Sequence, residues 1–411
     1  MTIDDLLAAF SEHFYLPDPA PVEIVIGAMV ANLLPGDPVW LLLVGPPASG
    51  KTEVLSSLSQ VSNVYEVSTF TEAGLLSGSS ARSEGSTGGL LAEMGSFGHV
   101  ICKDFTSILS QSSDTRTSLL AALREIYDGK WVRRLGTGGG RSYGWSGKAG
   151  LLAGVTETID RHSAVIGAMG ERFVLYRMPE LSDEGRLDQG RAAMANAGRQ
   201  SEVRRDLADA MREFFSDLLM TEEPPPLSAE EGERLILLSD LATRCRSAVE
   251  RDGRDREIEL VPQAEAIGRM QAVFTQIVRG MKVAGIADDE IERLTRALAL
   301  DSIPKVRRNV IEFLAGQTGV VKFTAAEVGD RVGLPTGTVN RALYELQAHG
   351  VVERYSDQPN RWSASEWLRS RWRSLDLARD QVSSRFQVDR ASHPSSESSG
   401  EIAGARLRQL S

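Results

Sequence analysis

The sequence predicts an α/β protein. A parallel sheet with helices on both faces is followed by an all-helical region and then by a small helix–turn–helix unit with a β-wing. Three observations predict this. Over residues 38–178, short apolar runs alternate with amphipathic stretches of helical period, as in strands buried beneath helices. From Pro179 to about Leu300 the strand signals vanish and long helical periodicities take over. Residues 303–373 change character again, with capped helices, a tight turn and two short β-capable runs.

The elements follow in order. Residues 1–37 read as two helices broken by Pro17, Pro19 and Pro21. Strands are expected at Val39–Val44, Val64–Ser68, His99–Lys103, Gly150–Gly154 and Arg172–Arg177. A Gly/Ser-rich stretch, Gly74 to Gly89, separates the second strand from the third. A second Gly-rich stretch, Gly136 to Gly147, carries basic and aromatic residues. The helical region, residues 179–302, is interrupted near Glu222–Pro226 and at Gly253. In the C-terminal unit, Val306–Leu314 reads as a helix. Thr324 caps a second helix, Ala325–Val332, with Glu327 at capping-box spacing. After Gly333-Leu334-Pro335, Thr336 caps a third helix, Gly337–His349. Val351–Tyr355 and Arg361–Ser363 then pair around Ser356–Asn360. Residues 374–411, rich in Ser from Ser392 on, read as a disordered tail.

Composition narrows the function classes. The chain has 411 residues, enough for two or three domains with ample core. Its net charge of −10 provides no global basic field, so any nucleic-acid contact has to come from local patches. Cys102 falls inside an apolar strand, which argues for a buried thiol and a reducing, cytoplasmic setting. No apolar run reaches the ~18–20 residues of a membrane span. Met1–Phe14 is acidic and lacks the basic start of a signal peptide. Five scattered histidines and two cysteines form no metal-ligand cluster.

The densest signal is Gly45-Pro46-Pro47-Ala48-Ser49-Gly50-Lys51-Thr52, with Glu53 opening a helix after it. It fits G-x-x-x-x-G-K-[ST] at every constrained position and lies between an apolar strand and a helix. Such a loop wraps a phosphate chain. Lys51 is placed to reach the β- and γ-phosphates of ATP, and the Thr52 hydroxyl to take a Mg²⁺ position. Val100-Ile101-Cys102-Lys103-Asp104 is an apolar strand ending in a carboxylate that suits a second Mg²⁺ contact, although a loop-capping Asp has the same pattern. Phe105 stands where ATPases of this type place a glutamate that activates water. Either another carboxylate (Glu72, Glu125 or Glu157) replaces it, or Asp104 takes that place with Lys103 in the Asp position, or hydrolysis is slow. Leu151–Thr156 is a buried strand ending in a small hydroxyl that can sense the γ-phosphate or the attacking water. Gly170-Glu171-Arg172-Phe173 puts an arginine at a strand start, where it could reach a neighbour's γ-phosphate from a subunit edge.

The order of these motifs resembles the AAA+ ATPases over residues 20 to 300. It looks most like the branch with a β-hairpin before the sensor strand, and within it the MCM-type helicases and MCM-like ATPases of bacterial mobile elements. The resemblance implies a ring, hexameric in that family, with ATP and Mg²⁺ at subunit interfaces and Arg172 acting in trans. It also implies that Arg269, at the start of a long lid helix, touches the γ-phosphate in cis; Arg244, Arg246 and Arg279 compete for that role. Residues 1–37 are not expected to form the N-terminal oligonucleotide-binding domain of full MCM helicases, so loading through the winged helix, or through a loader or initiator protein, is expected.

Two segments point to DNA. Asp128–Lys148 reads as a hairpin whose flanks surround a Thr-Gly-Gly-Gly turn. It carries Lys130, Arg133, Arg134, Arg141 and Lys148 interleaved with Trp131, Tyr143 and Trp145, with no acid after Asp128. Cations there can neutralise phosphates. The aromatics either stack on bases or anchor the hairpin to the core, and a peptide-gripping loop is a further reading. The C-terminal unit resembles the winged-helix DNA-binding family over about 60 residues. Its third helix offers Thr336, Thr338, Asn340 and Arg341, and Arg354 and Arg361 flank the wing. Winged helices also serve as protein contacts.

Three functions fit these readings: an ATP-driven DNA motor or remodeller, a nucleotide-switched DNA-binding regulator that hydrolyses slowly, and a protein-remodelling ATPase.

Overall fold

In a computed structural model, residues 1–75, 89–134, 142–162, 172–218, 223–252 and 257–377 are described below. The chain opens with helices α1 (Ile3–His13) and α2 (Ala20–Leu33), then strand β1 (Trp40–Val44) and helix α3 (Lys51–Ser56). Strand β2 (Val64–Val67) precedes two short helices, α4 (Glu72–Leu75) and α5 (Leu90–Met94). Next come β3 (Phe97–Cys102), α6 (Thr106–Leu109) and α7 (Ser113–Tyr127). Strands β4 (Lys130–Arg134) and β5 (Ser142–Ser146) form a separate antiparallel hairpin, and β6 (Lys148–Val155) and β7 (Phe173–Arg177) return to the main sheet.

That sheet is wholly parallel, in the order β2-β3-β6-β1-β7. A parallel sheet needs cover on both faces, and β1 shows how its apolar run supplies it. Leu41 and Leu43 point into one core with α2 and the later helices, whereas Trp40, Leu42 and Val44 point into the other with α7 and the hairpin. All residues from Ala20 to Asn32 are buried, so α2 is a central helix rather than an appendage.

The helical region holds α8 (Asp183–Ala195), α9 (Gln200–Asp217), α10 (Ala229–Arg246), α11 (Ile267–Val283) and α12 (Asp288–Asp301). A small ribbon, β8 (Glu250–Arg251) with β9 (Ile258–Leu260), interrupts it, a departure from a purely helical lid. Helix α2 crosses α11 closely: a Cβ at Gly280 would lie 2.2 Å from the Gly27 carbonyl, so only glycine permits the approach.

The C-terminal unit comprises α13 (Lys305–Ala315), β10 (Phe323–Thr324), α14 (Ala325–Val332), α15 (Thr336–Ala348), β11 (Val352–Tyr355), β12 (Arg361–Ala364) and α16 (Glu366–Ser374). The Thr324–Glu327 capping box forms as expected. Thr336 does not cap α15. Pro335 occupies that position without a side-chain bond, and Thr336 is the first helical residue. Leu375 and Leu377 are buried against the unit, so ordered packing runs past residue 374. The remainder of the expected tail, residues 378–411, lies outside the described residues, as do 76–88 of the Gly/Ser-rich stretch. One apolar core runs from α1 and α2 through the lid helices into the winged unit.

Candidate nucleotide site and DNA-contacting surfaces

The phosphate-binding loop leaves the C-terminal end of β1. Gly45 extends the sheet by donating its N–H to Val155 O (3.1 Å), and a Cβ there would meet Met178 Cγ and Ser49 Oγ at 2.9 Å. Ala48 (φ 61°) and Gly50 (φ 88°) take left-handed backbone and fold the loop over itself. Pro46, Pro47 and Ala48 are exposed at its crest. Lys51, 8% exposed, lies in the concavity and donates through Nζ to Gly45 O (2.9 Å), Pro46 O (2.6 Å) and Ser49 Oγ (3.0 Å). Burial pushes its pKa down, and the nearby Asp104 charge opposes that shift. The cation is thus held where a phosphate chain would replace its carbonyl partners. Thr52 is exposed beside it. Glu53 pairs bidentately with Arg204 of α9 (2.9 and 2.7 Å), tying the loop's helix to the lid.

Asp104 lies just past β3 and accepts from Thr106 N (2.9 Å). Thr106 Oγ1 in turn accepts from Thr156 N (3.1 Å), and the Thr156 hydroxyl donates to Thr158 Oγ1 (3.0 Å). Asp104, Thr106 and Thr156 therefore form one polar cluster at the nucleotide end of the sheet. Thr106 was missed by sequence reasoning because a Thr opening a short helix carries no distinguishing pattern. The Thr52 hydroxyl and the Asp104 carboxylate are hard oxygen donors. Mg²⁺ takes one or two protein oxygens of this kind and fills its remaining positions with water and phosphate, so this donor set fits it. Among the described residues no group of three or more His, Cys, Asp or Glu could hold a metal unaided.

The structure explains Phe105. Its side chain is fully buried edge-on to Phe173 (5.4 Å), and its N–H donates to Gly154 O (2.7 Å), prolonging the sheet. That position belongs to the core, and a carboxylate there would be buried. Lys103 does not take an Asp-like role, because it pairs with Glu66 (2.8 Å). Of the replacement acids, Glu125 is on the last turn of α7, beside Tyr127, which packs edge-on to Trp40 at the opposite end of the sheet. Glu72 contacts Ser118 Oγ. Glu157 is the one that follows Thr156 directly, and Lys305 holds it (2.8 Å).

Two arginines of the motif order have partners within the subunit. Arg172 directly precedes β7 and is 6% exposed. It is bidentate to Asp128 (2.9 and 2.7 Å) and sits over the Tyr127 ring. Gly170 and Glu171 of the same motif lie outside the described residues. Arg269 rests away from the phosphate loop. Its neighbour Glu265 (4.0 Å) pairs with Arg246, which donates to Phe173 O, and the Arg269 charge acts on Tyr127. All of these mark the N-terminal ends of β1 and β7, about 13 Å along the strands from the phosphate loop.

The hairpin forms, with Trp131 opposite Trp145. Both tryptophans are 7% exposed, and Trp145 Nε1 donates to Gly95 O (2.6 Å), so they anchor the hairpin to the core rather than present a stacking surface. Lys130 is exposed at its base. The backbone places Arg133 and Arg134 on β4, while Arg141 and the Thr-Gly-Gly-Gly turn lie outside the described residues. Lys148 is a correction. It belongs to β6, opposite Phe97, and its Nζ donates inward to Leu34 O (2.7 Å), with burial pushing its pKa down to about 8.

In the C-terminal unit, Thr336 and Arg341 are exposed on α15, and Thr338 and Asn340 are half-buried beside them. Exposed Arg354 on β11 leans over Tyr344 of α15 (5.6 Å), and Asn360 also bonds to the Tyr344 hydroxyl (3.3 Å), so the wing is tied to the helix. Arg361 is partly engaged by Lys322 O (3.2 Å) and Glu327 (3.6 Å). The chain is an α/β P-loop protein with a C-terminal winged helix–turn–helix. The IclR helix–turn–helix domain model matches residues 309–356, from α13 through α15 into the wing. Among solved structures, a candidate ATPase from Cytophaga hutchinsonii is 12% identical with a TM-score of 0.39, covering 72% of this chain and 85% of its own. The active helicase Cch of SCCmec type IV is 12% identical with a TM-score of 0.34, covering 92% and 72%. Similarity of that degree carries no inference about activity. No curated protein matches the chain. Among the described residues no helix is long and apolar enough to cross a membrane.

Proposed function

We propose that the protein is a DNA-associated ATPase that binds ATP at residues 45–53 and DNA at its winged helix. The observation that carries this reading is Lys51, buried in a loop of two left-handed residues with Asp104 and Thr156 at the same end of the sheet. A lysine held only by carbonyls and one hydroxyl is poised to exchange them for phosphate oxygens. Thr52 and Asp104 would hold Mg²⁺, which neutralises phosphate charge when bound. The Thr156 hydroxyl would orient the attacking water, and Glu157, once released from Lys305, would accept its proton. Thr336, Asn340 and Arg341 would face a groove, with Arg354 on flanking phosphates.

In its finer form this is a DNA motor or remodeller of the MCM-like kind, working as a ring in which Arg172 leaves Asp128 to meet a neighbour's nucleotide. Sedimentation with and without ATP and Mg²⁺ tests the ring, and a monomer under both conditions would remove it. A second reading, a nucleotide-switched DNA-binding regulator, is favoured by one observation: Phe105 is core and Glu157 is occupied, which suits slow hydrolysis. The shared claim is tested by titrating a fluorescent ATP analogue and a duplex oligonucleotide. Lys51→Ala should lose the first and Arg341→Ala weaken the second. Unchanged binding of both would defeat the assignment.

A further inference from the structure

The winged unit begins against the wall of the nucleotide site. At the start of α13, Lys305 donates through Nζ to Glu157 (2.8 Å) and Glu180 (2.9 Å), and its backbone N–H donates to Asp160 (3.1 Å). Glu157 and Asp160 sit in the short 3-10 helix (Glu157–His162) that follows Thr156. Glu180 is two residues past Met178, the side chain that leaves no room for a Cβ at Gly45 of the phosphate loop. In the same helical turn, Arg307 donates to Glu345 of α15 (3.0 Å) and to the carbonyls of Cys245 (3.1 Å) and Ser247 (2.6 Å). Arg308 closes on Asp301.

Beneath them, Arg177 at the end of β7 is bidentate to Asp160 (2.9 and 2.8 Å). It also donates to the carbonyls of Asp301 (3.2 Å) and Ile303 (3.3 Å). Arg177, Arg307, Arg308 and Asp301 are all buried. Buried, hydrogen-bonded charges of this kind hold one geometry closely, because a displaced partner would leave a charge unpaired in the interior. One turn of one helix thus touches the 3-10 helix after Thr156 with Lys305 and α15 with Arg307.

We propose that α13 couples the two sites, with Lys305 as the positioning residue: it sets the loop carrying Thr156 and Glu157 according to the position of the winged helix. DNA on α15 then changes the affinity for ATP, and by linkage ATP changes the affinity for DNA by the same factor. This rests on residues 45–53 being an ATP site and α15 a DNA-binding helix. Coupling through packed contacts of this kind is worth about two- to thirtyfold. Lys305 is half-exposed, and exposed ion pairs add little to stability, so the contact can be cut without unfolding the chain.

The test uses the full chain. A mixed-sequence duplex is titrated without nucleotide and with AMP-PNP and Mg²⁺, and a fluorescent ATP analogue is titrated with and without the duplex. Wild type should give one affinity ratio, different from unity, in both directions. Lys305→Gln should bring it to about one while leaving affinity for the duplex alone unchanged, and Lys305→Arg should restore it. Glu157→Gln cuts the Lys305–Glu157 ion pair from the other side and serves, on the same affinity ratio, if the first variant misfolds. A wild-type ratio of one, or the same ratio in Lys305→Gln as in wild type, overturns the proposal. If wild type binds no ATP analogue, or Lys51→Ala binds it equally well, the nucleotide reading itself falls.

Discussion

At the scale of single residues, environment decides role. Phe105 occupies the place where a water-activating glutamate is expected, yet its ring closes the core under β3 and β7. Phe105→Ala should cost about 3–5 kcal/mol in denaturant unfolding, the range for a large buried aromatic. A loss under about 1 kcal/mol would mean the residue is not packed as described. Glu23 is a second case. It lies on buried α2 at 5% exposure, facing Glu290, with Arg293 and Asp18 close by. Burial first, then the Glu290 charge, pushes its carboxyl from 4.5 up to about 8. A folded state that holds a proton the unfolded chain releases loses stability as pH rises between those values. Glu23→Gln should therefore melt progressively higher than wild type as pH moves from about 5 to about 8. A gap that stays constant with pH would show that the carboxyl ionises freely.

At the scale of elements, the strongest sequence signals were those that a local pattern can carry. The Gly45–Thr52 loop, the Thr324–Glu327 capping box and the five strands of the sheet follow from residue type at fixed spacing, and the structure forms each. Which partner a long side chain chooses was not legible. Lys148 closes the run of basic residues in the hairpin segment, but the chain crosses from hairpin to sheet at Gly147, where a Cβ would strike Ser96 O at 2.3 Å. One residue later the ammonium turns inward to Leu34. Arg172 and Arg269 likewise sit at the far end of the sheet because of tertiary packing around Tyr127, which no local motif encodes. In salt titrations of DNA binding, Lys130→Ala should lower the slope by about one, the effect of a single phosphate contact, while Lys148→Ala should leave it unchanged and lower the melting temperature. Equal slopes for wild type and Lys130→Ala would remove the hairpin base from the DNA surface.

At the scale of the whole molecule, the sheet's two faces are covered differently. Helix α7 and the hairpin close one core; the other runs unbroken from α2 through the lid into the winged unit. The winged helix is therefore not a bead on a string: Arg307 bonds to the carbonyls of Cys245 and Ser247, Arg251 pairs with Glu345, and Lys305 joins the unit to the short 3-10 helix after Thr156. Such an architecture suits an ATPase whose nucleotide state is felt where DNA would bind. If the proposed function holds, this sheet turns over ATP in a DNA-dependent way. Steady-state ATP hydrolysis, with no polymer, with single-stranded DNA, with duplex DNA and with an unfolded protein, measures it for wild type and Lys51→Ala. DNA should stimulate turnover, the unfolded protein should not, and Lys51→Ala should abolish it. ATP binding with negligible turnover under every condition would contradict the proposed function and leave the nucleotide-switched regulator in its place.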